Sequence, residues 1–256
     1  MALKDELGEI AWYNLMTKNS KLATDYYKSL FGWETKDFEI EGFGKGTIYS
    51  AAGRPFAGPM DLGDVPEVES HWIAYFSVED VDKSCELLKS LSGKVCYEPF
   101  DMPTIGRTAV VEDPEGNVFH LFTPEDKSSD VNIMGGEFGQ ACWLELTSDK
   151  PKELSEFYGK LLAWDIEVQD MGAGPYYMGQ SGDHLVAGIA NSNGAPNLIS
   201  SWLPFFMVTD ISESSEKSLA AGGECVLETQ FVAGVGHFAL HRDPSGACFY
   251  LFQGDS

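Results

Sequence analysis

The feature that most constrains the fold is an internal repeat. Ile10 to Thr17 (IAWYNLMT) matches Gln140 to Ser148 (QACWLELTS), which brings Trp12 onto Trp143. Asp25 to Glu34 (DYYKSLFGWE) matches Glu156 to Asp165 (EFYGKLLAWD). The run from His71 (HWIAYFSVEDVDKS) matches the run from Ser201 (SWLPFFMVTDISES), and GRTAVVEDPEGNVFHLF from Gly106 matches GHFALHRDPSGACFYLF from Gly236. All four matches are collinear and offset by 130 or 131 residues, so the chain is a tandem duplication. Between the copies, PEDKSSDVNIMGGEF is polar and then glycine-bearing, as an exposed linker is. The predicted organisation is a first domain over residues 1–125, a linker over 126–136 and a second domain over 137–256.

Each copy reads as strand, helix and further strands, twice over. In the opening segment Tyr13 and Leu15 point one way and Trp12, Asn14 and Met16 the other. Leu22, Tyr26 and Leu30 recur at helical spacing and predict a helix over Ser20 to Phe31, with Gly32 placed for a left-handed end. In the second copy Pro151 suits a helix start, and Leu154, Phe157, Tyr158 and Leu161 repeat the stripe. VEDVDKSCELLKSL predicts another helix, opening on acidic residues at its positive end. EDPEGN and RDPSGA predict tight turns joining strands, because proline fixes φ and glycine supplies a positive φ. GFGKG at Gly42 to Gly46 reads as a hairpin turn rather than a nucleotide loop.

Composition narrows the partners. Seventeen Lys and Arg against 40 Asp and Glu give a net charge of −23, which repels phosphate backbones and anionic membranes. Neither nucleic acid nor membrane is expected as a partner. The five cysteines show no CxxC spacing, and three lie in apolar or strand-like settings, which suits buried thiols in a reducing compartment. The N-terminus has no basic start followed by an apolar run, so a cytoplasmic protein is expected. There is no phosphate loop, no nucleophile elbow and no HExxH.

The elements x-x-L-x-T on the first strand, (F/Y)Y-x-x-L-(F/L)-(G/A)-W, V-x-D-(V/I) and DP-x-G-x-x-x-x-L-F resemble the vicinal oxygen chelate superfamily. That superfamily includes glyoxalase I, bleomycin-resistance proteins and extradiol dioxygenases; the likeness is greatest to its two-domain, glyoxalase-like branch. The resemblance implies an α+β fold of tandem glyoxalase-like domains, in which four βαβββ modules form two curled mixed-sheet cups. It also implies, in metal-dependent relatives, three ligands per cup. Carried over, those positions fall on Trp12, Ile73 and His120 in the first copy and on Trp143, Leu203 and Tyr250 in the second. Trp, Ile and Leu cannot coordinate a metal. A slip of two residues adds His71 and still leaves the first site short of a third ligand. No cofactor is therefore expected, since a divalent ion at His120 would rest on one imidazole.

By strand alternation the first cup is expected to present Trp12, Asn14, His71, Tyr75, Arg107 and His120. The second is expected to present Trp143, Glu145, Phe205, His237 and Tyr250. Aromatics with a few polar heads are the composition of a small-molecule pocket. Each residue also has a plainer reading. Trp12 and Trp143 either stack on a ligand or fill the volume of lost metal ligands, and His120 is either a ligand or a hydrogen-bonded core histidine. Arg107 either grips a carboxylate or bonds a loop, and Glu145 among aromatics is either a general base or a partnered structural acid. The function expected is binding of a small, flat or oxygenated molecule by a monomer or homodimer, without the usual metal. The alternative is a glyoxalase-type lyase, isomerase or oxygenase with Glu145 as acid/base and His237 or Tyr250 as helper. A scaffold whose cups are filled by side chains is the third reading.

Overall fold

The computed structural model describes residues 7–40, 44–63, 68–126, 132–170, 174–192 and 201–255. Residues 1–6 of the N-terminal segment, the tip of the GFGKG turn at 42–43 and linker residues 127–131 lie outside them. The repeat appears as four modules, each a strand, a helix and three strands. The first is β1 (Ile10–Thr17), α1 (Ser20–Phe31), β2 (Glu34–Ile40), β3 (Gly44–Ala51) and β4 (Arg54–Asp61). The second is β5 (His71–Ser77), α2 (Val81–Ser90), β6 (Lys94–Met102), β7 (Gly106–Glu112) and β8 (Val118–Pro124). The third is β9 (Ala141–Ser148), α3 (Pro151–Leu162), β10 (Asp165–Asp170), β11 (Pro175–Ser181) and β12 (His184–Asn191). The fourth is β13 (Trp202–Met207), α4 (Ile211–Ala220), β14 (Glu224–Val232), β15 (Gly236–Arg242) and β16 (Cys248–Gly254).

The strands form two open, mixed, eight-stranded sheets of identical topology, ordered β2-β3-β4-β1-β5-β8-β7-β6 and β10-β11-β12-β9-β13-β16-β15-β14. Within a module the first and last strands pair in parallel, as β1 with β4 and β5 with β8, and the helix makes the crossover that parallel pairing requires. One face of each module carries its helix. Tyr13 and Leu15 are fully buried toward α1, whose inner stripe is Ala23, Tyr26, Tyr27, Leu30 and Phe31. Leu22, read as part of that stripe, is instead exposed. The Asn19 side chain caps α1 by accepting from Leu22 N–H at 3.0 Å, and Gly32 closes it at φ 70°. No helix among the described residues is long and apolar enough to cross a membrane.

Packing divides the chain differently from the repeat. One compact unit is Met1–Trp12, Ile73–Asn132 and Leu144–Trp202; the other is Tyr13–Trp72, Ile133–Trp143 and Leu203–Ser256. Each unit draws one module from each copy, and the repeat motifs hold it together. In the first unit Asp113, from the EDPEGN turn, accepts at 2.9 Å from the hydroxyl of Tyr158 on α3, which accepts at 3.0 Å from Trp202 Nε1. In the second unit Trp72 Nε1 donates to Tyr27 Oη at 3.2 Å, and Tyr27 faces Asp243 of the RDPSGA turn. Around Tyr27, the rings of Phe31, Trp33, Phe206 and Phe249 lie 4.9–6.5 Å from it.

Candidate functional sites on the helix-free faces

Most of the expected site residues lie on the face of each module opposite its helix, in a different arrangement in each. On the second module Tyr75 and His120 are register partners of a parallel pair, with rings stacked at 3.9 Å and 11°. The Thr108 hydroxyl donates to Leu121 O at 2.9 Å, so its 3.1 Å contact with His120 must be one in which it accepts from Nδ1–H. That fixes the tautomer and leaves Nε2 as a bare acceptor, without a hydrogen-bond partner among the described residues. Burial pushes the His120 pKa down to about 3, so the ring is neutral.

On the fourth module Phe205 and Tyr250 are again register partners, stacked at 4.1 Å and 23°. Phe238 stands 6.2 Å from one and 5.9 Å from the other. Cys142 Sγ donates to Phe205 O, and burial pushes its thiol up to about 12, which makes it an inert thiol.

The two remaining faces hold the polar heads of the first strands. On the first module Asn14 is buried and its amide donates to Met60 Sδ, with Trp12 half-buried beside it on β1. On the third module Glu145 takes the place of Asn14, and Tyr176 on β11 donates its hydroxyl to Glu145 Oε2 at 2.9 Å. Gly188, the register partner of Glu145 on β12, makes this reach feasible, because a Cβ there would overlap the Tyr176 hydroxyl. Burial outweighs the hydrogen bond and pushes the Glu145 carboxyl up to about 7.

Two expected residues lie on the other face. Arg107 shares the helix face of β7 with buried Ala109 and Val111, and its guanidinium binds Asp82 of α2 at 2.6 and 2.9 Å and Asp101 at 2.9 Å. Its carboxylate partners are therefore the chain's own. His237 shares the helix face of β15 with Ala239, opposite to Phe238, and its ring packs 4.7 Å from Phe231. It is not on the face that presents Tyr250. His71 lies at the start of β5 with Nδ1 2.7 Å from Glu69 O, and Trp143 is half-buried on β9. Sequence reasoning missed Tyr176, Thr108 and Phe238. The signal for Tyr176 was the alternating run PYYMG, in which two adjacent tyrosines leave the phase open.

The donor set does not fit a divalent metal. Ile73 and Leu203 are buried apolar residues at positions where the resemblance implies ligands, and the indoles of Trp12 and Trp143 offer no lone pair to a metal. Among the described residues no three His, Cys, Asp or Glu side chains are grouped as a metal site requires.

Tandem βαβββ modules with parallel outer pairs define a glyoxalase-like scaffold, and comparisons with known proteins agree. The description "Glyoxalase/Bleomycin resistance protein/Dioxygenase superfamily" matches residues 9–121. The chain is 30% identical over 254 residues to the Putative glyoxylase CFP32 of Mycobacterium bovis, covering 96% of this chain and 95% of that one. It is 26% identical to the Anthracycline biosynthesis protein DnrV of Streptomyces peucetius, over 96% of this chain and 93% of that one. Among solved structures it resembles the Mn(II)-bound glyoxalase from Novosphingobium aromaticivorans, with a TM-score of 0.64, 13% identity, and 97% and 82% of the two chains covered. The chain belongs to the glyoxalase/bleomycin resistance/dioxygenase superfamily.

Proposed function

We propose that this member of the superfamily binds a small, flat, oxygenated molecule on its aromatic helix-free faces, without the metal ion that its Mn(II)-bound structural relative holds. The observation that carries the reading is the pair of ring stacks on the helix-free faces, Tyr75 on His120 and Phe205 on Tyr250, beside apolar Ile73 and Leu203 at positions where the resemblance implies ligands. Aromatic rings with a few polar heads among them are the composition of a small-molecule pocket. A relative covered almost from end to end is by name an anthracycline biosynthesis protein, which is in keeping with a small-molecule ligand. Five free cysteines are in keeping with a cytoplasmic setting. The test is to titrate the pure protein with Ni, Zn, Mn and Fe and to measure bound metal after desalting. Substoichiometric metal is expected; one ion per chain, lost in His120→Ala, would defeat the reading.

A second reading is favoured by one observation, the Glu145 carboxyl at about 7 beside a tyrosine hydroxyl. A group poised there suits general acid/base catalysis of the glyoxalase type on a small metabolite. Tyr176, rather than His237, is the helper that lies within hydrogen-bonding distance. Loss of turnover in a folded Glu145→Gln protein supports this reading, and unchanged turnover removes it.

A further inference from the structure

We infer that the Glu145 face of the third module takes a ligand with a protonated amine on a flat aromatic body, the amine pairing with the Glu145 carboxylate. This deepens the small-molecule reading above and rests on it. The first argument is the unfinished state of the carboxylate. Oε2 accepts from Tyr176, and among the described residues Glu145 has no other hydrogen bond and no ion pair. Glu145 is half-buried, and a carboxylate partly withdrawn from water is stabilised by a cation, by further donors or by taking up a proton. The chain has 17 Lys and Arg, and none is placed against Glu145 among the described residues.

The second argument is the divergence of the copies. The position of Glu145 is Asn14 in the first copy, and the position of Tyr176 is Gly46. Asn14 is neutral and finds Met60 as a partner within its own module. The acid and the hydroxyl that orients it are therefore both particular to the third module. A pair arranged this way holds one carboxylate oxygen in place and leaves the other for a donor from outside. The Tyr176 ring beside it suits an aromatic cation, and a net charge of −23 draws cations toward the molecule.

The pH dependence follows with a definite sign. An amine pairs with the ionised form of a carboxyl whose pKa is pushed up to about 7, so binding releases a proton below that pH. The affinity for the amine therefore rises about tenfold between pH 6 and pH 8.

Three naphthalene probes on the intact protein test this by calorimetry: 1-naphthylmethylamine as cation, 1-naphthalenemethanol as neutral isostere and 1-naphthoate as anion. The expected result at pH 8 and 0.15 M salt is an amine affinity at least tenfold above that of the alcohol, with no measurable naphthoate binding. In Glu145→Gln the ratio of amine to alcohol affinity falls to about one, while circular dichroism shows the fold retained. A preference that survives Glu145→Gln would be attraction to the net charge and would overturn the inference. Alcohol binding without amine preference overturns it and leaves the small-molecule reading standing. Failure of all three probes to bind overturns both. If Glu145→Gln does not fold, the pH series on the wild type decides, and a flat profile overturns the inference.

Discussion

Two aspartates from matching turns meet different surroundings. Asp113 Oδ1 accepts from Glu115 and Asn117 N–H, and Oδ2 accepts from the Asn117 amide at 2.6 Å and from Tyr158. Asp243 Oδ1 accepts from Ser245, Gly246 and Ala247 N–H, but Ala247 stands where the other turn has Asn117, so Oδ2 lacks that amide. Burial raises the Asp243 pKa. A carboxyl raised in the folded state costs stability as pH rises through its folded pKa, so the penalty is present at neutral pH and absent in acid. Ala247→Asn is therefore expected to stabilise the protein by about 1 kcal/mol at pH 7 and by less at pH 4. Urea midpoints at the two pH values measure this, and a lower midpoint at pH 7 would refute it. The second unit also buries a hydrogen-bonded row, Tyr26 Oη to Ser218 Oγ at 2.6 Å and Ser218 Oγ to His241 Nδ1 at 2.8 Å, where the first unit has Phe157, Leu88 and Val111. Burial pushes His241 down to about 4. A histidine depressed in the folded state contributes stability above its unfolded pKa, and that stability fades as pH falls from about 6.5 toward 4. The full loss is about 3 kcal/mol for His241. Melting temperatures between pH 7 and pH 4 should fall accordingly, with the imidazole signal of His241 untitrated in NMR until near pH 4.

At the scale of elements, the repeat exposes one mismatched helix end. α1 and α3 both close on a left-handed residue, Gly32 at φ 70° and Ala163 at φ 56°. Alanine carries a Cβ penalty there that glycine does not. Ala163→Gly is expected to raise stability by about 0.5–1 kcal/mol, read as a shift in urea midpoint at constant m-value, whereas Gly32→Ala should cost a similar amount. The same elements mark what the sequence made legible. The Ser20 to Phe31 helix, both DP-x-G turns and the two faces of β1 follow from local chemistry: a 3.6-residue stripe, prolines with positive-φ glycines, and strict alternation. The facing of Arg107 and His237 does not. β7 carries Thr108, Ala109, Val110 and Val111 in succession, with residues buried on both faces, so hydrophobicity gives no phase. Only the pairing of Thr108 with Phe122 and Val110 with His120 assigns the faces, and that is long-range information. Tyr176 was hidden for the same reason, since Tyr177 beside it is equally strand-forming and only the reach across Gly188 distinguishes the two.

At the scale of the whole molecule, the sequence repeat and the compact units count the chain differently, and that difference has a consequence. Each copy carries a tyrosine at the second position of the (F/Y)Y motif and one DP-x-G aspartate: Tyr27 with Asp113 in the first, Tyr158 with Asp243 in the second. In the chain the partners are crossed, Tyr158 with Asp113 and Tyr27 with Asp243. A single copy therefore holds both halves of the contact and cannot satisfy either within itself. Two identical first copies could satisfy both through a two-fold interface, Tyr27 of each against Asp113 of the other, because a self-complementary patch closes with its own image. Residues 1–126 expressed alone are accordingly expected to form a dimer burying Tyr27, Phe31 and Trp72, side chains that are buried in the intact chain. Asp113→Ala should shift this fragment toward a monomer with exposed apolar surface, because a buried tyrosine hydroxyl loses its acceptor. Analytical ultracentrifugation with dye binding distinguishes the states: a well-folded monomeric fragment would sink the argument, whereas a dimer that dissociates in the Asp113→Ala variant would show that the duplication fused an assembly which separate copies can still make.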